Sequence, residues 1–313
     1  MNKNLRIMPS PHMKGEATTK SVMLDVIIAL LPATVAATFL FGLSAFVLIV
    51  WCVLFCVFFE YAFRYFLKRE STISDCSAIV TGMLLAFNLP AKLPLWMAAI
   101  GCFVSIVIVK QLFGGIGQNF ANPAIVGRIV LMVSFTSQMS NYLVPTITAG
   151  KISVVAGATP LKIMADQKFS ELPTLMDMFL GLRGGVLGET CVAALLLGGI
   201  YLLARRVISP VIPVAYLGTV ALMSWALGAN VIMQLMSGGL MLGAFFMATD
   251  YSTSPTTPIG KLIFGIGCGV ITVGIRLYGS YPEGVSFAIL IMNILCPLID
   301  RYTKSKPFGG AVK

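Results

Sequence analysis

Apolar runs long enough to cross a bilayer, about 20 residues each, recur from residue 22 to residue 299 and leave little room for any other architecture. Charged residues make up 11% of the 313 positions, whereas a soluble domain carries about 25%. The runs are solidly apolar and do not alternate, which argues against a transmembrane β-barrel. The expected fold is an all-α polytopic membrane protein with ten spans. Five fall in residues 22–135: Val22–Leu40, Ala45–Phe59, Ser77–Leu89, Leu93–Val109 and Phe120–Phe135. Five more fall in residues 187–299: Leu187–Ala204, Val211–Leu227, Val231–Ala248, Ile259–Ile275 and Val285–Ile299. Residues 1–21 and 300–313 form tails, and residues 136–186 form one long loop between the halves.

The two halves resemble each other. Residues 100–110 read IGCFVSIVIVK and residues 266–276 read IGCGVITVGIR, with identities at Ile100/Ile266, Gly101/Gly267, Cys102/Cys268, Val104/Val270 and Val107/Val273. Lys110 falls opposite Arg276, and LFGG after the first copy matches LYGS after the second. The copies are the fourth and ninth spans, an odd number apart, so they cross in opposite directions. That is the pattern of an inverted repeat, whose sites gather at the repeat interface beside broken helices. The third and eighth spans, at matching places, are the candidates for such breaks. Ser77–Leu89 is short and stops at Pro90, and Val231–Ala248 contains Gly238, Gly239 and Gly243.

The net charge of +10 would suggest nucleic acid in a soluble protein, but here it comes from Lys and Arg flanking the spans. Placing the N-terminus inside collects most of them on the cytoplasmic side, among them Arg64, Lys68, Arg69, Lys110, Arg205, Arg206 and Lys261, and leaves Lys92 and Arg276 in the short outer loops. Both termini are then cytoplasmic and the 136–186 loop faces outward. The seven cysteines form no CxxC or clustered pattern, and the one histidine, His12, lies in the N-terminal tail. An iron–sulfur cluster or bis-histidine haem held by this chain alone is therefore not expected, and no metal site is.

Acidic residues near the spans, including Asp25, Glu60, Glu189 and Asp250, read as helix-end groups. Arg128 is the exception. A central arginine costs roughly 2.5–3.5 kcal/mol on insertion scales, so it either meets a phosphate, carboxylate or carbonyl, or snorkels to the inner surface from a helix starting near Ala124. The inner loop Phe113–Asn119 carries Gly114 and Gly115, which let backbone N–H groups approach a ligand or simply make a tight turn. In the inner loop Thr249–Pro258, Asp250 heads a run of hydroxyls that caps a helix or lines a polar pocket. In the outer loop, Gly157 and Ala158 leave the hydroxyl of Thr159 open and Pro160 keeps regular structure from burying it; this is either a modification site or an ordinary turn.

Four segments carry a family resemblance: SDCSAIVTGMLLAFNLP (Ser74–Pro90), FGGIGQNFANPAIVGR (Phe113–Arg128), GATPL (Gly157–Leu161) and ATDYSTSP (Ala248–Pro255). Over nearly its whole length the chain resembles the RnfD members of the Rnf complexes, the bacterial ion-translocating ferredoxin:NAD+ oxidoreductases. It also resembles their homologues, the NqrB members of the sodium-pumping NADH:quinone reductases, which carry a longer N-terminal extension. The resemblance implies a fold similar to urea and ammonium channels, a place in the bacterial cytoplasmic (inner) membrane beside the A, B, C, E and G components of Rnf, and coupling of electron transfer to Na+ or H+ movement. It implies FMN joined by a phosphoester to the threonine of an S/T-G-A-T motif by a separate flavin transferase. The matching threonine is Thr159, with Gly157 and Ala158 before it, and Ala156 stands where the family usually has Ser or Thr. A second, non-covalent flavin (riboflavin or FMN) is implied as well. No residue is expected to be catalytic on its own. The alternative class is a small-solute channel on the same repeat, with GATPL only a turn.

Overall fold

The computed structural model describes residues 18–70, 72–148, 151–279 and 283–304. His12 and most of both expected tails lie outside the described residues. The chain is mainly helical. Four helices are long and apolar enough to span a bilayer: α1 (Thr19–Phe41), α2 (Leu43–Phe66), α13 (Pro258–Tyr278) and α14 (Val285–Thr303). Five apolar helices are shorter: α3 (Ser77–Phe87), α4 (Leu95–Phe103, continued as π-helix to Gln111), α5 (Pro123–Ser134), α9 (Val192–Ala204) and α10 (Val211–Ala226). The expected eighth span is divided into α11 (Val231–Met236), a break at Ser237–Gly239, and α12 (Leu240–Leu242) with a π-helical continuation over Gly243–Met247.

The short third segment and the broken eighth one are as the sequence indicated, and four of the ten expected spans are long helices. At about 1.5 Å per residue, the 11 residues of α3 reach only about half of a 30 Å hydrocarbon core. Short helices of this kind must be continued by irregular backbone whose polar groups are covered by protein. The end of α3 is an example. Asn88 donates its side-chain N–H to the Leu84 carbonyl at 2.6 Å. Leu187 and Gly188, from the loop before α9, donate their backbone N–H groups to the carbonyls of Leu89 (3.1 Å) and Phe87 (2.8 Å). Gly188 is needed there, because a Cβ would lie 2.3 Å from the Cβ of Phe87.

Helix starts follow one local rule. Asn122 accepts from the N–H groups of Ala124 and Ile125 with Pro123 at the first turn, and Thr257 accepts from Gly260 with Pro258 in the same place. A side-chain oxygen meets an orphan N–H while proline sits where its missing N–H costs nothing. α1 uses a capping box between Thr18 and Ser21. Helices α2, α3, α4 and α5 pack on one another, as do α10, α11, α13 and α14, and α1 packs on α9.

The loop between the halves departs from the all-α expectation. A β-hairpin, β1 (Leu143–Thr148) and β2 (Lys151–Ala156), pairs antiparallel from Leu143↔Ala156 to Thr148↔Lys151. Short helices flank it: α6 (Thr136–Met139), α7 (Pro160–Ala165) and α8 (Leu175–Leu180). Gly181, after α8, packs on Leu40 at the far end of α1, so this loop lies on the face opposite the start of α1.

Candidate functional site

Thr159 stands at the start of α7, and its hydroxyl is not open. The residue is 2% exposed. It is the N-cap, accepting from the backbone N–H of Lys162 at 3.3 Å, with Pro160 following as in α5 and α13. Pro160 therefore starts a helix, which corrects the reading that it keeps the threonine clear of regular structure. Gly157 and Ala158 are exposed, but they do not leave the Thr159 hydroxyl open. The Ala158 carbonyl abuts Gly184, and Leu161 abuts Gly238.

Arg128 does not snorkel. It is 3% exposed and donates to Asn88 Oδ1 at 2.8 Å and Ser286 Oγ at 3.1 Å. Its second terminal nitrogen forms an ion pair with Glu283. Tyr142 donates to the other Glu283 oxygen at 2.5 Å. Burial first, and the Glu283 carboxylate second, push the Tyr142 hydroxyl well above its ordinary value and keep it a donor.

Interior charge is richer than the sequence indicated. Lys110 and Arg276, counted as flanking cations, are both buried. Lys110 donates to Glu60 Oε2 at 2.7 Å and Ser77 Oγ at 2.6 Å, and Thr72 donates to Glu60 Oε1 at 2.6 Å. Arg276 donates to the carbonyls of Gln234 at 2.6 Å and Ser237 at 2.7 Å, closing the break between α11 and α12. Glu189, read as a helix-end group, is buried, and so are Glu283 and Arg183, which the sequence reading does not single out. Two signals could have found them: Glu189 and Arg183 are interleaved with glycines in LRGGVLGET, and Glu283 follows a proline immediately before a span.

A cavity of about 90 Å³ lies between the halves on the face where α1 begins and opens into a vestibule of about 530 Å³. Its polar lining includes Thr81, Lys110, Asn119, Asn122, Asp250 and Ser252, and Phe245 and Phe246 add aromatic walls. Asn122 donates to the Met247 carbonyl at 3.3 Å, and Asn119 to Ser252 Oγ at 3.0 Å, tying the two halves together. Asp250 accepts from Ser252 Oγ at 2.9 Å and Thr253 Oγ1 at 3.2 Å, so it organises its own turn and lines the cavity. Burial raises its carboxyl above the ordinary value against those opposing hydrogen bonds. Gly114 and Gly115 adopt φ of +123° and +107° but do not line this cavity. A Cβ on Gly115 would meet the Arg64 guanidinium, so the structure uses these glycines for the turn. Sequence reasoning thus named Thr159, Arg128 and Asp250 but placed them in separate regions. The structure puts Asp250 in the cavity, Arg128 in a buried ion pair, and Thr159 at the opposite face from the cavity mouth.

These features define a multi-pass membrane protein with broken helices, buried charge and a polar cavity between its halves. The chain belongs to the NQR2, RnfD, RnfE family, which it matches over residues 6–309. It is 46% identical to the D component of the Na(+)-translocating ferredoxin:NAD(+) oxidoreductase complex of Acetobacterium woodii, covering 98% of this chain and 96% of that protein. It is 41% identical to the D component of the proton-translocating ferredoxin:NAD(+) oxidoreductase complex of Clostridium ljungdahlii, over 97% and 96% of the two chains. It is 35% identical to the D component of the ion-translocating oxidoreductase complex of Yersinia pseudotuberculosis, over 97% and 98%.

Proposed function

We propose that this chain is the membrane-embedded RnfD component of an Rnf-type ion-translocating ferredoxin:NAD+ oxidoreductase and works as an electron carrier within that complex. The observation that carries the reading is identity of 46% to such a component along almost the full length of both chains. Co-purification of the tagged chain with the other Rnf components, and loss of ferredoxin-dependent NAD+ reduction when it is deleted, test it. Retention of full activity in the deletion strain would refute it.

Within that reading, Thr159 holds FMN through a phosphoester formed by a flavin transferase. The residues fit the group with one adjustment: Thr159 Oγ1 must leave its hydrogen bond with Lys162 N–H, a cap worth about 1 kcal/mol. The exposed Gly157 and Ala158 give a transferase access to the turn. The second, non-covalent flavin belongs in the interhalf cavity, where Asn119, Asn122 and Ser252 offer hydrogen bonds and Phe245 and Phe246 offer aromatic surface. A flavin supplies reversible electron uptake; the protein binds it, orients it and excludes water.

The architecture we favour is a 5+5 inverted repeat in the bacterial cytoplasmic membrane. Packing of α2 on α3 and α4 and of α4 on α5 has a counterpart in α10 on α11 and α13 and α13 on α14. The charge bias of the loops supports cytoplasmic termini and an outward-facing Thr159.

A further inference from the structure

Both carboxylate oxygens of Glu189 are buried and neither has a hydrogen-bond partner. The residue is 1% exposed. It makes no ion pair among the described residues, in contrast to Glu60 and Glu283. The arginines around it bond other groups, and although Arg128 Nε, Arg183 Nη1 and Arg276 Nε are left buried without a partner, none bonds the Glu189 carboxylate. Arg128 bonds Glu283, Asn88 and Ser286; Arg183 bonds the backbone carbonyls of Glu189 and Thr190; Arg276 bonds the carbonyls of Gln234 and Ser237. Tyr142 is spent on Glu283. Glu189 therefore feels three guanidiniums and one carboxylate only at a distance. Burial without a direct partner disfavours its charged form, while the guanidinium field favours it. The protonated and ionised states are thus brought close, and a change in nearby charge can exchange them.

Such a change has a defined place to occur. Gly185 makes a single antiparallel bridge to Leu143, and Gly184 lies in the bend just before it. The Ala158 carbonyl lies 2.7 Å from where a Gly184 Cβ would stand, and Glu189 Oε1 lies 2.7 Å from where a Gly185 Cβ would stand. A partition without side chains separates the turn carrying Thr159 from the unpaired carboxylate. On the other side, Glu189 Oε2 rests against Gly239, beside Ser237. The buried hydroxyls of Ser237 and Thr190 are also without partners, and they offer groups able to pass a proton.

We propose that Glu189 is a redox-linked proton acceptor: its carboxylate takes up one proton when an electron arrives on the Thr159 side of the Gly184–Gly185 pair, and releases it when the electron leaves. The inference rests on Thr159 carrying the flavin. The electron comes from the reductant of the complex and the proton from water, so one positive charge enters the buried site for each negative one. Arg128, Arg183, Arg276, Glu283 and Tyr142 set the field in which Glu189 titrates.

The test is redox-induced infrared difference spectroscopy on the assembled complex, in H2O and D2O, with wild type, Glu189→Gln and Glu189→Asp. A protonated-carboxyl stretching band should appear on reduction, shift in D2O, vanish in Glu189→Gln and return at a displaced frequency in Glu189→Asp. A wild type that carries flavin on Thr159 but shows no such band overturns the inference and leaves the flavin reading standing. A band that persists in Glu189→Gln, or is unmoved in Glu189→Asp, also overturns it. Absence of flavin from Thr159 in the wild type removes the reading on which the inference rests. If Glu189→Gln does not assemble, the wild-type isotope shift and the aspartate variant decide alone.

Discussion

Arg128, in the middle of α5, and Glu283, just before α14, form a buried ion pair that fastens the two halves of the molecule together. Asn88 at the end of α3 and Ser286 in α14 complete the guanidinium's contacts, and Tyr142 holds the second carboxylate oxygen. An arginine in an apolar helix is tolerable here because a carboxylate and two neutral acceptors take the place of water. Removing one partner leaves the other charged in a dry site.

Glu283→Gln should therefore destabilise the folded protein by about 3–5 kcal/mol, the usual cost of breaking a buried pair from one side. Tyr142→Phe removes a hydrogen bond to a charged group and should cost about 1.5–3 kcal/mol. Thermal unfolding in detergent should rank them in that order, with the double replacement Arg128→Met and Glu283→Met regaining part of the loss. Equal stability of Glu283→Gln and wild type would show that the pair contributes nothing.

The four long helices are legible from local chemistry alone, whereas the starts at Asn122–Pro123, Thr159–Pro160 and Thr257–Pro258 are not: the sequence reading begins the spans at Phe120 and Ile259 and keeps Thr159 out of regular structure. The Thr159 start was open to misreading, because a threonine in a small-residue turn looks accessible until the helix behind it is recognised. The buried charges were less legible. Lys110 and Arg276 end apolar runs, where a cation ordinarily reaches water, yet Lys110 turns inward to Ser77 and Arg276 to the broken α11–α12 junction. Tertiary placement decides such cases: the backbone freed by a short helix attracts the nearest long polar side chain. The sequence repeat did point to both residues, since Lys110 and Arg276 occupy matching positions after IGC.

Sidedness can be checked with single cysteines at Lys168 and Arg206, both exposed. Five native cysteines are buried, and only Cys76 and Cys191 are half-buried, so replacing those two should give a quiet background. A membrane-impermeant thiol reagent should label the 168 position in intact cells and spare the 206 position. The reverse pattern would overturn the outward-facing placement proposed for Thr159.

The cavity assignment predicts a selective loss. Ile116 is 38% exposed and borders both the cavity and its mouth, so Ile116→Trp narrows the entrance without disturbing the packed interior. Flavin released by denaturation should fall by at least half in the purified complex, while flavin that stays with the polypeptide should not change. Unchanged release would place the non-covalent cofactor elsewhere.

Thr159 has two roles that substitutions can separate. As N-cap of α7 it supports a six-residue helix, and as a hydroxyl it is the proposed phosphoester acceptor. Thr159→Ser keeps both, so covalent flavin and stability should stay near wild type. Thr159→Ala loses both. In-gel flavin fluorescence and the mass increment of one FMN should disappear, and stability should fall by about 1 kcal/mol. Thr159→Asn keeps a good capping group but no hydroxyl, so it should preserve the stability of α7 and still carry no flavin. That variant is the decisive one, because loss of fluorescence with an intact cap cannot be attributed to a disordered turn. Covalent flavin in Thr159→Asn would move the attachment to another hydroxyl of the outer loop and detach it from the Gly184–Gly185 pair.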